Sequence, residues 1–297
     1  MAEVTRRRTG EFMRKLFEIL LNQPDGMPAR DALVALEKNF QLTEYEGGAY
    51  PSGGQRFDKI VRFATVDCAK AGWLLKSKGR WNITDAGKAA YKNHADPEAF
   101  YKQAVKLYHQ WKTNQPDSEP STESEIEDVT SGKAVSITFE TAEEQAWAEI
   151  EHYLHVMQPY EFQELVADLL RAMDYHVSWV SPPGKDGGID IIAHTDPLGT
   201  RPPRIKVQVK RKQDTVSVEG LRSFMALLGD DDVGLFVTLG GFTKDAAEEA
   251  RTQEKRRVTL IDLETLFDLW VQHYGKLSDD ARSRLPLRPI HFLAPQT

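Results

Sequence analysis

Residues Lys185 to Asp190 read Lys-Asp-Gly-Gly-Ile-Asp, and after a turn-rich stretch holding Pro197, Gly199, Pro202 and Pro203 the chain continues Lys206-Val207-Gln208-Val209-Lys210-Arg211. That spacing suits two strands of a hairpin. Successive side chains of a strand point to opposite faces, so Lys206, Gln208 and Lys210 share one face and Ile205, Val207 and Val209 the other. A carboxylate (Asp190), an amide oxygen (Gln208) and an ammonium (Lys210) therefore converge. Mg2+ takes hard oxygen ligands, and Asp190, the Gln208 side chain and the Val209 carbonyl are candidates to supply them. Lys210 is then placed to orient or help deprotonate an attacking water and to offset charge on a five-coordinate phosphate. The chemistry open to such a set is metal-assisted hydrolysis of a phosphodiester.

The elements around the set read as an α/β core. Thr141 to Met157 is expected as a helix, and Pro159 breaks it before a second helix from about Tyr160 to Met173 with Phe162, Leu165, Val166, Leu169 and Leu170 inward. Strands are expected at Tyr175 to Val180, Gly188 to Ala193, Ile205 to Lys212, Val233 to Leu239 and Val258 to Ile261. Helices are expected at Val218 to Leu228, Thr243 to Thr252 and Leu263 to His273. Three strands close together, then alternation, imply a mixed sheet flanked by helices.

The first 112 residues read differently. Periodic stretches at Phe12 to Leu20, Pro28 to Phe40 and Phe57 to Ala71 predict three helices; Gly72 to Leu75 and Trp81 to Thr84 predict two strands, with a new helix starting at Asp85. That order resembles a winged helix, whose third helix enters the DNA major groove while its hairpin touches phosphate. Arg56, Lys59, Arg62 and Lys70 are the groove-side candidates, and Lys76, Lys78 and Arg80 tip the wing. The alternative is a winged helix used for protein contacts, with these charges merely solvated.

Between the two regions, residues 113–140 open with a run rich in Pro, Ser, Glu and Asp and are expected to be an acidic flexible linker. The division is thus 1–112, 113–140 and 141–297. The formal net charge is −7, but it is unevenly spread: about +6 to Lys112, about −9 from Thr113 to Ile150 and about −4 beyond. A basic module on an acidic tether suits a protein with one DNA-attracting end. The lone Cys68 excludes an internal disulfide and a cysteine-based zinc site, and its small apolar neighbours read as core. No apolar run is long enough to span a bilayer, and a cytoplasmic protein is expected.

Gly187-Gly188-Ile189-Asp190 followed by Gln208-Val209-Lys210 resembles the Mrr family of restriction endonucleases, within the PD-(D/E)xK nuclease superfamily. The likeness runs from roughly Pro159 to Leu269, taking in the Gly240-Gly241-Phe242-Thr243 turn, and a winged helix often accompanies this nuclease. It implies an Mg2+-dependent endonuclease acting on double-stranded DNA, with restriction of foreign and methylated DNA as the expected role and a homodimer for double-strand cleavage. The alternatives are a winged-helix regulator or sensor that binds without cutting, and a structure-selective nuclease. Glu164 is a further candidate, because the family's first helix commonly carries Glu directly after its Phe, whereas here Phe162 is followed by Gln163. Asp186 is expected to fix the glycine turn and Thr243 to cap a helix. Asp230-Asp231-Asp232 is expected to be a solvated turn, and His155, His176 and His194 lack zinc-ligand spacing.

Overall fold

The structure, a computed structural model, describes residues 4–50, 54–114, 125–182, 184 and 187–291. It divides into one unit that ends at Ala148 and a second over Glu149–Ile290.

In the first unit the helices α1 (Arg6–Leu21), α2 (Ala29–Glu37), α3 (Glu44–Gly47) and α4 (Arg56–Lys70) pack with β1 (Met27–Pro28), β2 (Leu74–Ser77) and β3 (Arg80–Ile83), and α5 (Asp85–Asn93) and α6 (Pro97–Thr113) complete it. The three strands form an antiparallel sheet in the order β1-β3-β2. Helices followed by a two-stranded hairpin and a further helix stand in the order expected from the sequence. The wing closes on Lys78 and Gly79, both at positive φ (48° and 69°), as a two-residue hairpin turn requires. Phe12, Leu16, Phe17, Leu36, Phe57, Val61, Trp81 and Phe100 form its core. Two elements go beyond the three expected helices: α3, closed by a capping box between Thr43 and Glu46, and α6, which starts at the Asp96 cap with proline in its first turn. Cys68 is buried as expected, and burial pushes its thiol pKa up.

The segment read as a tether behaves otherwise. Residues 115–124 lie outside the described set, and from Glu125 the backbone is one helix, α7, to Val156. Lys133, Glu140, Glu144 and Trp147 recur at intervals of seven, four and three residues, which places them on one face of that helix. The face is polar, so hydrophobic periodicity does not reveal it.

The second unit contains α8 (Pro159–Ala172), β4 (His176–Val180), β5 (Ile191–His194), β6 (Arg204–Lys210), α9 (Val218–Met225), β7 (Asp232–Thr238), α10 (Lys244–Thr252), β8 (Val258–Ile261), α11 (Leu263–Gln272) and α12 (Asp279–Arg284). The sheet runs β4-β5-β6-β7-β8, with the first two pairings antiparallel and the last two parallel. Parallel neighbours need a crossover, and α9 and α10 supply them. Phe224, Phe236, Leu221 and Leu228 pack between α9 and the sheet. Thr243 caps α10 by accepting from the Ala246 amide at 3.2 Å, as its sequence position suggests. Asp232 departs from the solvated-turn expectation: it opens β7, is buried, and pairs with Arg204 at 2.9 Å and Lys206 at 2.8 Å. Among the described residues, no helix is long and apolar enough to cross a membrane.

Candidate active site

The site grows from the edge where β5 meets β6. The register ends at Ile191 opposite Val207, and Asp190, just ahead of it, is tied to the β6 backbone on either side of Gln208. Asp190 sits just ahead of β5 and is buried. Its amide donates to the Val207 carbonyl at 2.8 Å, and its carboxylate Oδ2 accepts from the Val209 amide at 2.7 Å. Two bonds to one strand fix the carboxylate's position. The alternation expected along β6 holds as far as Val207: Ile205 and Val207 are buried and Lys206 is half-buried, whereas Val209 is half-buried like its neighbours Gln208 and Lys210.

Gly188 explains how the loop approaches so closely. It has φ +86°, and a Cβ there would stand 2.8 Å from Leu227 Cδ1 and 3.6 Å from Gln208 Nε2. A side chain there would press on Leu227 and strain the positive φ. Lys210 Nζ lies 5.3 Å from the centre of the Phe236 ring on β7, within cation–π range. Asp186 lies outside the described residues, so its expected turn-fixing role has no structural counterpart here. Lys206, on the same face as Gln208, serves the fold instead: it donates to the Leu227 carbonyl at 2.6 Å and pairs with Asp232.

The question of Gln163 against Glu164 has a geometric answer. Gln163 is buried, and its Nε2 donates to the Ser181 carbonyl at 2.9 Å and the Asp190 carbonyl at 3.1 Å. The position directly after Phe162 thus braces the backbone of Asp190. Glu164 lies on a more exposed face of α8, with its carboxylate 3.6 Å from Arg171. The relevant signal was positional: the residue after the buried Phe162 faces the sheet, whatever its charge. Replacing Gln163 by Leu leaves two buried carbonyls without that donor, so a loss of about 1–3 kcal/mol in stability is expected. A denaturant melt of Gln163→Leu checks this, with an unchanged midpoint as the contrary result.

In the first unit the basic candidates fall into two groups. Arg56 stacks over Tyr45 at 4.7 Å and Tyr50 at 5.6 Å, and Lys59 lies 4.6 Å from the Tyr50 ring centre. Arg80 donates to the Gly26 carbonyl at 2.9 Å, and Lys70 sits over Trp111 at 4.2 Å. Arg62 and Lys76 are engaged by α7: Arg62 meets Glu140 at 3.1 Å and Glu144 at 2.7 Å, and Lys76 meets Glu140 at 2.7 Å. Lys78 lies over Trp147 of the same helix at 5.4 Å. Burial lowers the Lys76 pKa, and Glu140 opposes that shift.

The donor set around Asp190 fits a hard divalent ion in kind, because carboxylate, amide and carbonyl oxygens are its ordinary ligands. Gln208 in place of a carboxylate leaves Asp190 as the formal negative charge of the set Asp190, Gln208 and Val209. Among the described residues no group of three or more His, Cys, Asp or Glu could hold a metal by itself, so an ion here would also draw on water and phosphate oxygens.

Two family models match the chain: the restriction endonuclease domain Mrr_cat over residues 154–270 and the Mrr N-terminal domain over residues 10–93. Together they take in about two thirds of the chain. A solved structure titled as the MspJI restriction endonuclease in complex with a 27-mer oligonucleotide matches at 18% identity with a TM-score of 0.32, covering 69% of this chain and 47% of that one. The present chain thus spans about half the length of that protein, a likeness too slight to bear on its chemistry. No curated protein matches the chain. The two domain matches, in the order in which the winged helix and the mixed sheet stand, show that the chain belongs to the Mrr family of restriction endonucleases.

Proposed function

We propose that the chain is an Mg2+-dependent endonuclease that hydrolyses DNA phosphodiester bonds and restricts foreign DNA, methylated DNA among its targets. The observation that carries the reading is the pair of bonds that ties Asp190 to β6 on either side of Gln208, which stands two residues before Lys210 on the same strand face, within the segment matched as a restriction endonuclease domain. Asp190, Gln208 and the Val209 carbonyl would hold the ion. Once bound, Mg2+ would supply Lewis-acid polarisation of a phosphate oxygen. Asp190 is held for that task by the Val209 amide, and Gln163 braces the backbone behind it. Lys210 orients the attacking water and balances the negative charge that grows on the phosphate in the transition state. Glu164, facing Arg171, is assigned no step.

One such site cuts one strand, and symmetry favours a homodimer for a double-strand break. Duplex DNA would be held by the first unit. Arg56 and Lys59 at the start of α4 are the cations stacked on tyrosines there, ready to meet phosphate. Removing two phosphate contacts should flatten the plot of log affinity against log salt by about 2, at about 0.9 per phosphate. Fluorescence anisotropy of Arg56→Ala/Lys59→Ala on a labelled duplex measures this, and an unchanged slope would remove both residues from the interface. The reading as a whole is tested with plasmid, unmodified and methylated, incubated with protein and Mg2+ or with EDTA. Cleavage only with the metal, and faster on methylated plasmid, is expected. DNA bound but never nicked in any divalent metal would make the chain a binding protein.

A further inference from the structure

Helix α7 covers the face of the first unit through which a winged helix meets DNA. Glu140 is buried and accepts three charged or polar donors: Arg62 at 3.1 Å, Lys76 at 2.7 Å and the indole Nε1 of Trp81 at 2.7 Å. Glu144 accepts from Arg62 at 2.7 Å and from the backbone amide of Arg30 at 3.0 Å, in the first turn of α2. A guanidinium beside a helix N-terminal amide is what a DNA phosphate also seeks. The wing tip is pressed against the same helix, since a Cβ on Gly79 would stand 2.8 Å from Glu144 Cα. Further along, Lys133 pairs with the buried Asp67 of α4 at 2.5 Å. Arg62 and Lys76 keep only 12% and 15% of their side-chain surface exposed, so in this arrangement neither can reach phosphate.

We propose that α7 is an intramolecular competitor of DNA: Glu140 and Glu144 hold the positions of two phosphates on α4 and the wing, and duplex DNA engages Arg62 and Lys76 only when the helix leaves that face. This rests on the reading of the first unit as a duplex-DNA binder. The exchange is within energetic reach. Burying Glu140 with Arg62 and Lys76 incurs a desolvation cost that largely offsets their mutual attraction. When α7 departs, both cations pass from carboxylate to phosphate and Glu140 returns to water.

The test uses the full chain. Glu140→Gln/Glu144→Gln keeps the side-chain shapes but removes both charges. It should bind a labelled duplex about tenfold more tightly than wild type with the same salt slope, because Arg62 and Lys76 neutralise phosphates in both complexes and only wild type must first displace the helix. A second readout is independent of how well the variant folds. The Trp81 indole N–H resonance of the wild-type protein reports the bond to Glu140, and saturating DNA should shift it as that bond breaks. Wild type that binds DNA with this resonance unmoved, or a folded variant with unchanged affinity, overturns the competitor while leaving DNA binding intact. If neither protein binds duplex at low salt although the variant's Trp81 resonance shows the helix released, the DNA-binding reading fails and the competitor with it.

Discussion

Asp190→Asn should cleave duplex DNA at least about a thousandfold more slowly than wild type while binding it equally well, and Lys210→Ala should fall by about a hundredfold or more. The asymmetry follows from where each side chain stands. In the proposed site Asp190, buried and fixed by the Val209 amide at 2.7 Å, would supply the carboxylate of the ligand set; asparagine keeps the shape but removes the charge. Lys210 is half-buried and would act on the phosphate and the water, so its loss would remove transition-state stabilisation without emptying the ion site. Single-turnover rates on a labelled duplex separate the chemical step from release. Both variants should melt close to wild type, because Asn can still accept from the Val209 amide and Lys210 makes its ring contact at the sheet surface. A rate within threefold of wild type for Asp190→Asn would remove that carboxylate from the chemistry.

The second large effect is on stability. Asp232 is buried at the start of β7 and accepts from Arg204, Lys206 and the Gly229 amide, the last at 2.7 Å. Burial alone would raise its pKa, but the bonds from Arg204, Lys206 and Gly229 outweigh it and hold the carboxyl at about 2, against an ordinary 3.8. A carboxyl with a depressed folded-state pKa stabilises the fold above its unfolded pKa and loses that contribution as pH falls through the folded value. The shift corresponds to about 2 kcal/mol at neutral pH, fading between about pH 4 and pH 2. Asp232→Ala should cost more, about 3 kcal/mol, because it also leaves Lys206 without its counter-charge and the Gly229 amide without its acceptor. Urea melts of wild type and Asp232→Ala at pH 7 and pH 3 measure both. The gap should narrow at the lower pH; a gap that is constant with pH would show that the charge of Asp232 contributes nothing.

Where the chain obeys a simple period, its sequence is legible. The alternation of Ile205, Val207 and Val209 with Lys206, Gln208 and Lys210 placed β6 and its reactive face, and β7, β8 and the helices between them fell within a few residues of expectation. Asp190 was singled out by its type and its spacing from Gln208 and Lys210, although the strand expected from Gly188 begins only at Ile191 and leaves Asp190 just outside it. Three features stayed hidden for physical reasons. Gln163 acts by donating to carbonyls from a buried position, and its type alone does not distinguish that from a surface glutamine. Asp232 looked like one of three solvated acids, because its partners Arg204 and Lys206 lie on a neighbouring strand and are far away in sequence. The α7 face was missed because Lys133, Glu140 and Glu144 dock through ion pairs, and a hydrophobicity-based reading sees only an acidic tether.

The most direct test of the central claim is a time course on supercoiled plasmid in Mg2+ with wild type and Asp190→Asn side by side, each shown by gel shift to bind the plasmid. The account predicts that wild type converts supercoiled DNA to open-circular and linear forms and stops on addition of EDTA, while Asp190→Asn binds and leaves the plasmid supercoiled. Equal cleavage by the two proteins, or wild-type cleavage that persists in EDTA, would contradict it.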